Sequence, residues 1–67
     1  MTFDECINVL RREILLLSEK EQEEVKPILD SRKGNLIVLQ FEPYERSGRL
    51  SSPEFKAAME GLYWLSR

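Results

Sequence analysis

The chain has 67 residues, of which 42% are hydrophobic and 33% are charged. This composition predicts one small globular domain over residues 1–67, since it is too apolar for a disordered segment. The chain has ten Lys or Arg and twelve Asp or Glu residues, so its formal net charge is −2. Nucleic-acid-binding domains typically carry a net positive charge, which this chain lacks.

The cysteine and histidine content limits the chemistry of the chain. With one cysteine, Cys6, and no histidine, we expect neither an internal disulfide nor a transition-metal site, because such sites need several N or S ligands. No stretch reaches the roughly 18 apolar residues of a membrane span. Asp4 and Glu5 stand where a secretory signal would be basic, so we expect a cytoplasmic protein.

The first helix is marked by a capping box and by helical spacing of apolar residues. Thr2 is placed to cap the helix, and Glu5 follows three residues later,. An apolar stripe then recurs at spacings of three and four residues, which is typical of one helix face. It comprises Phe3, Ile7, Leu10, Ile14 and Leu17, and is widened by Cys6, Val9, Leu15 and Leu16. We interpret Cys6 as a small buried hydrophobic side chain.

A second capping box, Ser18 to Glu21, indicates that a new helix begins at Glu19,. The alternative is a single helix that continues to Lys26. Pro27 predicts a kink or stop in this helix, because proline removes a backbone donor and clashes with the preceding turn. Gly34 is the expected C-terminal stop.

Residues 36–41 form the strongest strand candidate in the sequence. Their apolar run is almost continuous and is bounded by Gly34 on one side and by Pro43 on the other,. A strand needs a partner for its backbone donors and acceptors. That partner is either residues 47–51 of the same chain or the same segment of a second copy.

The last predicted helix begins after Ser51 or Ser52, with Pro53 near its first position and Glu54 in its first turn,. Gly61 is unfavourable inside this helix, so either another backbone approaches closely there or the helix frays. One face carries Phe55, Ala58, Met59, Leu62 and Leu65. Together the elements predict an α+β fold of three helices and one or two short strands, in the order helix-helix-strand-helix.

The sequence does not favour an enzyme. Nucleophilic catalysis needs an activated side chain beside a base, and Cys6 lies on an apolar helix face with no histidine in the chain. The carboxylate pairs Glu21–Glu24 and Glu42–Glu45 lie in polar runs, which indicates solvated surface. Three scattered glycines do not form a phosphate-binding loop. We therefore expect neither a catalytic site nor a cofactor.

Protein binding is the function that the sequence favours. A chain this short buries only about 60% of its unfolded surface, so we expect a homodimer that also docks to another protein. Tyr63 and Trp64 are candidate contact residues, since aromatic side chains are enriched at binding hot spots; the alternative places both in the core. The apolar strand adds the candidates Leu36, Val38 and Phe41.

Nucleic-acid binding is the alternative function. If the fold gathers the basic side chains into one patch, phosphate contacts would supply affinity through the release of counterions. The candidate residues for this function are Arg11, Arg12, Arg32, Lys33, Arg46 and Arg49.

Overall fold

The computed structural model describes residues 1–65. This part of the chain contains four α-helices and no strand, so the predicted α+β fold is wrong. The helices are α1 (Phe3–Glu13), α2 (Glu19–Asp30), α3 (Gly34–Arg46) and α4 (Pro53–Leu65), with a short 3-10 helix at Ile14–Leu16.

Both predicted capping boxes are present. The Thr2 hydroxyl accepts a hydrogen bond from the Glu5 backbone N–H (3.2 Å), and the Glu5 carboxylate accepts one from the Thr2 N–H (2.8 Å). Ser18 and Glu21 exchange the same pair of bonds. Each pair satisfies backbone donors that the start of a helix leaves without a partner, so a helix begins at each of the two boxes. This confirms the prediction that a new helix begins at Glu19 and excludes a single helix that continues to Lys26.

The end of α2 excludes one of the two effects expected at Pro27 and differs from the prediction at Gly34. The helix does not stop at Pro27 but continues to Asp30; the proline leaves the carbonyl of Glu23, an exposed residue, without its helical donor,. The left-handed residue after the helix is Arg32, with φ of 56°. Gly34 is the buried first residue of α3 and not a helix stop.

The predicted strand at residues 36–41 lies inside α3. Gly34, Ile37 and Phe41 are buried and follow at spacings of three and four residues, which places them on one helix face. A helix satisfies its own backbone groups, so neither of the two predicted strand partners is needed. Pro43, expected to bound the strand, also lies within α3.

Residues 47–51, the candidate second strand, form the turn that ends α3. Gly48 has φ of 79°, a left-handed conformation that glycine adopts without steric cost,. Its N–H donates to the Glu45 carbonyl (3.1 Å), and the Arg49 N–H donates to the Tyr44 carbonyl (3.0 Å). This bond pair is a Schellman motif, which closes the helix and reverses the chain.

Helix α4 begins as predicted, with Ser52 as the capping residue. The Ser52 hydroxyl accepts from the Phe55 N–H (3.0 Å) and donates to the Glu13 carboxylate (2.7 Å). The second bond joins the start of α4 to the end of α1. Leu65, expected on the buried face, is exposed in the last turn.

Each helix packs against two others: α4 contacts α1 and α3, and α2 also contacts α1 and α3. Helices α1 and α4 are antiparallel, since Ser52 meets Glu13 and Gly61 meets Cys6. The buried apolar residues of the core are Cys6, Ile7, Val9, Leu10, Ile14, Leu17, Val25, Leu29, Ile37, Phe41, Leu50, Phe55, Ala58, Met59 and Leu62.

Candidate protein-binding surface

Tyr63 and Trp64 lie on the surface, which decides between the two positions that the sequence left open. Their exposed fractions are 54% and 60%. Both follow Leu62, which is fully buried, and each step along an α-helix turns the side-chain direction by about 100°. The two rings meet edge to face with centroids 5.9 Å apart, an arrangement favoured for aromatic pairs.

An open groove of about 510 Å³ lies between α3 and α4 beside Tyr63. Its apolar wall is formed by Val38 from α3 and by Met59 and Tyr63 from α4. The two helices pack against each other after the Schellman turn, and the groove lies between side chains that both of them contribute. We call this the α3–α4 groove; its charged lining residues are Glu42, Glu45, Lys56 and Glu60.

The α3–α4 groove is acidic, with three carboxylates and one ammonium in its lining. Glu42 pairs with Arg46 one helical turn later, at 3.2 Å. Glu45 and Glu60 make no ion pair or hydrogen bond to any other residue in 1–65. Their charges are therefore available to a ligand that enters the groove.

The three candidates from the predicted strand occupy different places. Val38 is half-buried in the α3–α4 groove, and Leu36 is 41% exposed on another side of α3. Phe41 is fully buried, with its ring 6.1 Å from those of Tyr44 and Phe55. Phe41 is therefore a core residue with no surface to offer a partner.

Three exposed leucines, Leu15, Leu16 and Leu39, were not predicted as surface residues. Leu39 is 62% exposed and lies one turn from Leu36 on the solvent side of α3,. Its exposure follows only once residues 36–41 are known to be helical. Leu15 and Leu16, expected to widen the buried stripe of α1, are exposed because the 3-10 helix breaks the α-helical register there,.

Most of the basic residues proposed for nucleic-acid binding are neutralised by carboxylates. Arg11 pairs with Asp30 at 2.8 Å and Arg32 with Asp4 at 2.7 Å. Arg46 and Arg49 are also in ion pairs. Within residues 1–65, this leaves only Arg12 and Lys33 of the six candidates without an ion pair. The geometry therefore gives this function little uncompensated positive charge.

Arg49 links two parts of the fold through an ion pair with Glu21. Both of its terminal nitrogens donate to the Glu21 carboxylate, and its guanidinium lies 5.6 Å from the centre of the Tyr44 ring. The hydrogen bond from Arg49 lowers the pKa of Glu21 from 4.5 to about 2. This pair connects the first turn of α2 to the α3–α4 turn.

Cys6 is fully buried, as predicted, and burial raises the pKa of its thiol. A thiol in that state is a poor nucleophile at neutral pH. Among residues 1–65, no three Cys, Asp or Glu side chains are grouped so that they could hold a metal ion.

Comparisons with known proteins give no information about this surface. No protein-family model, no curated protein and no solved structure matches this chain. None of the helices in the described part of the chain combines the length and the apolar character that crossing a bilayer requires.

Proposed function

We propose that this chain is a non-enzymatic, homodimeric protein-interaction domain that docks a protein partner through α3 and α4. The observation that carries the proposal is the aromatic pair Tyr63–Trp64: both side chains are more than half exposed, Tyr63 lines the α3–α4 groove, and the Trp64 ring contacts the Tyr63 ring. We call Val38, Tyr63 and Trp64 the docking surface; Met59, a nearly buried core residue, lines the groove beside Val38 and Tyr63.

The energetics of apolar burial support this assignment. Full burial of a large apolar side chain contributes roughly 1.5–3 kcal/mol, and aromatic rings do so with few rotatable bonds to immobilise. Tyr63 and Trp64 together offer two such anchors, and Val38 and Met59 offer a shallow apolar wall beside them. A partner side chain that enters the groove would therefore be flanked by Tyr63.

Self-association is assigned to a different side of α3. On a helix, positions 36, 39 and 43 share one side, whereas 38, 42 and 45 share another. Leu36, Leu39 and Pro43 are all exposed, so a second copy can pack on them while the α3–α4 groove stays accessible. Small scaffolds without disulfides or metals often gain stability by association.

A cytoplasmic location is part of the proposal. Its support is the buried thiol of Cys6, which packs as an apolar side chain and makes no disulfide. Proteins of reducing compartments keep such thiols free.

The docking surface is tested by a photo-crosslinking amino acid at position 64 in cells of the source organism, with a matched label at the exposed Lys26 of α2. We expect a crosslinked protein from position 64 and none from position 26. Excess wild-type chain should suppress the adduct, whereas excess Val38→Glu should not. Identical adducts from both positions, or none from either, would refute the proposal. An adduct between two copies at position 64 would assign this surface to self-association instead.

A further inference from the structure

The α3–α4 groove, taken as the docking surface proposed above, also indicates what kind of partner it accepts. We propose that it binds an amphipathic helical segment in which Lys or Arg residues flank the apolar side chains. This inference rests on the proposed function and adds the chemical class of the partner.

The length of the groove suits a short helix. Its lining runs from Val38 to Glu45 on α3 and from Lys56 to Tyr63 on α4. Seven residues at a rise of 1.5 Å extend roughly 10 Å, or about two helical turns. A helix that lies in such a groove presents anchors at spacings of three, four and seven residues, which would meet Val38, Met59 and Tyr63.

The charges of the groove select a basic partner over an acidic one. Glu45 and Glu60 border the apolar wall, and neither carboxylate forms an ion pair with another residue in 1–65. Lys56 is the one cation of the lining, and Arg46 compensates Glu42. The remaining negative charge attracts Lys and Arg side chains at the edges of a docked helix and repels carboxylates.

The test uses two fluorescein-labelled peptides of about fourteen residues. Both have the same amphipathic pattern of leucines, but one has lysine and the other has glutamate at the polar positions. Anisotropy reports their binding. Emission from Trp64, the single tryptophan of the chain, reports whether the docking surface is involved. We expect the lysine peptide to bind at least tenfold more tightly than the glutamate peptide and to shift the Trp64 emission.

Charge-reversed variants locate the binding site. Glu45→Lys with Glu60→Lys should weaken the lysine peptide at least tenfold. The control is Glu23→Lys with Glu24→Lys, which changes the net charge equally on exposed positions of α2 and should change affinity less than threefold. Far-UV circular dichroism checks that both variants keep their helices.

Three results would overturn the inference. The first is equal binding of the two peptides or binding of neither, and the second is equal weakening by the two charge-reversed variants. The third is a Trp64 emission that shifts with protein concentration alone, because a second copy would then occupy the groove. If the first or second result appears while the adduct from position 64 persists, the docking surface stands and only the partner class is wrong.

Discussion

At the scale of single residues, the closest packing between α1 and α4 occurs where Gly61 meets Cys6. A Cβ atom placed on Gly61 would lie 2.8 Å from the Cys6 sulfur, well inside contact distance. Cys6 is fully buried, and at this distance either the sulfur or one of the two helices must shift to admit the Cβ atom. The sequence predicted that another backbone approaches Gly61 or that the helix frays there; instead α4 continues to Leu65 and the close neighbour is the side chain of Cys6.

Gly61→Ala is expected to destabilise the protein despite the better helix propensity of alanine. Propensity favours alanine by about 1 kcal/mol, whereas overpacking a tight core costs roughly 1–3 kcal/mol. In a Cys6→Ala background the sulfur is absent, so the same substitution should become neutral or stabilising. Urea unfolding of the two single variants and the double variant measures this coupling.

Ala57→Gly measures how much helix propensity alone contributes to the free energy of unfolding, since Ala57 is exposed on α4. It should lower the unfolding free energy by about 1 kcal/mol. A Gly61→Ala variant that is more stable than wild type by a similar amount would show that the contact with Cys6 imposes no steric cost.

At the scale of elements, the ion pair between Glu21 and Arg49 connects two segments that are far apart in sequence. Glu21 serves twice, since its carboxylate also accepts from the Ser18 N–H in the capping box of α2. The folded-state pKa of Glu21, about 2, lies below its ordinary 4.5 because of the Arg49 hydrogen bond. The stabilisation from this carboxylate is therefore complete above pH 4.5 and is lost as the pH falls towards 2.

Glu21→Gln should remove that part of the acid sensitivity. We expect the variant to be less stable than wild type at pH 7, and its unfolding free energy to fall less steeply between pH 4.5 and 2. Urea unfolding across this interval measures the difference. Glu19→Gln is the control, because Glu19 is exposed and makes no ion pair within residues 1–65. Parallel curves for wild type and Glu21→Gln would contradict the assignment.

Capping residues close to each helix start made α1, α2 and α4 predictable from the sequence, whereas α3 could not be predicted. A capping box such as Ser18–Glu21 can be recognised from four consecutive residues, because both of its side chains bond to backbone groups at the same helix start. The run at residues 36–39 is apolar on every side, so its periodicity does not separate a buried strand from a helix. The buried face of α3 joins Gly34, Ile37 and Phe41, and its continuation to the half-buried Tyr44 lies beyond Pro43, which was interpreted as a boundary.

The candidate site was predictable in part for the same reason. Tyr63 and Trp64 were named because residues 62–65 are apolar around much of the helix and aromatic side chains are enriched at binding hot spots. Their exposure depends on which face of α4 meets α1 and α3. The α3–α4 groove could not be predicted, because its two walls belong to helices whose pairing is set by the Schellman turn at Gly48. With residues 36–41 interpreted as a strand, Val38 had no α-helical neighbour to form a groove with.

At the scale of the whole molecule, the chain has one small core and considerable apolar surface outside it. The core draws on all four helices, but several large apolar side chains remain exposed. They lie in four places: Met1 at the first residue, Leu15 and Leu16 on the 3-10 helix, Leu36 and Leu39 on α3, and the last turn of α4. Contiguous apolar surface on a small protein marks interaction sites. Within residues 1–65, Leu36 and Leu39 are the two exposed leucines that lie one helical turn apart on the same α-helix,.

Light scattering coupled to size-exclusion chromatography, over a range of concentrations, tests most directly whether this apolar surface is used for association. We predict a mass twice the 7.9 kDa of one chain and a return to one chain in Leu36→Glu with Leu39→Glu. The matched change Leu15→Glu with Leu16→Glu should leave the dimer intact. A wild-type protein that keeps the mass of a single chain at the highest concentration would contradict the account.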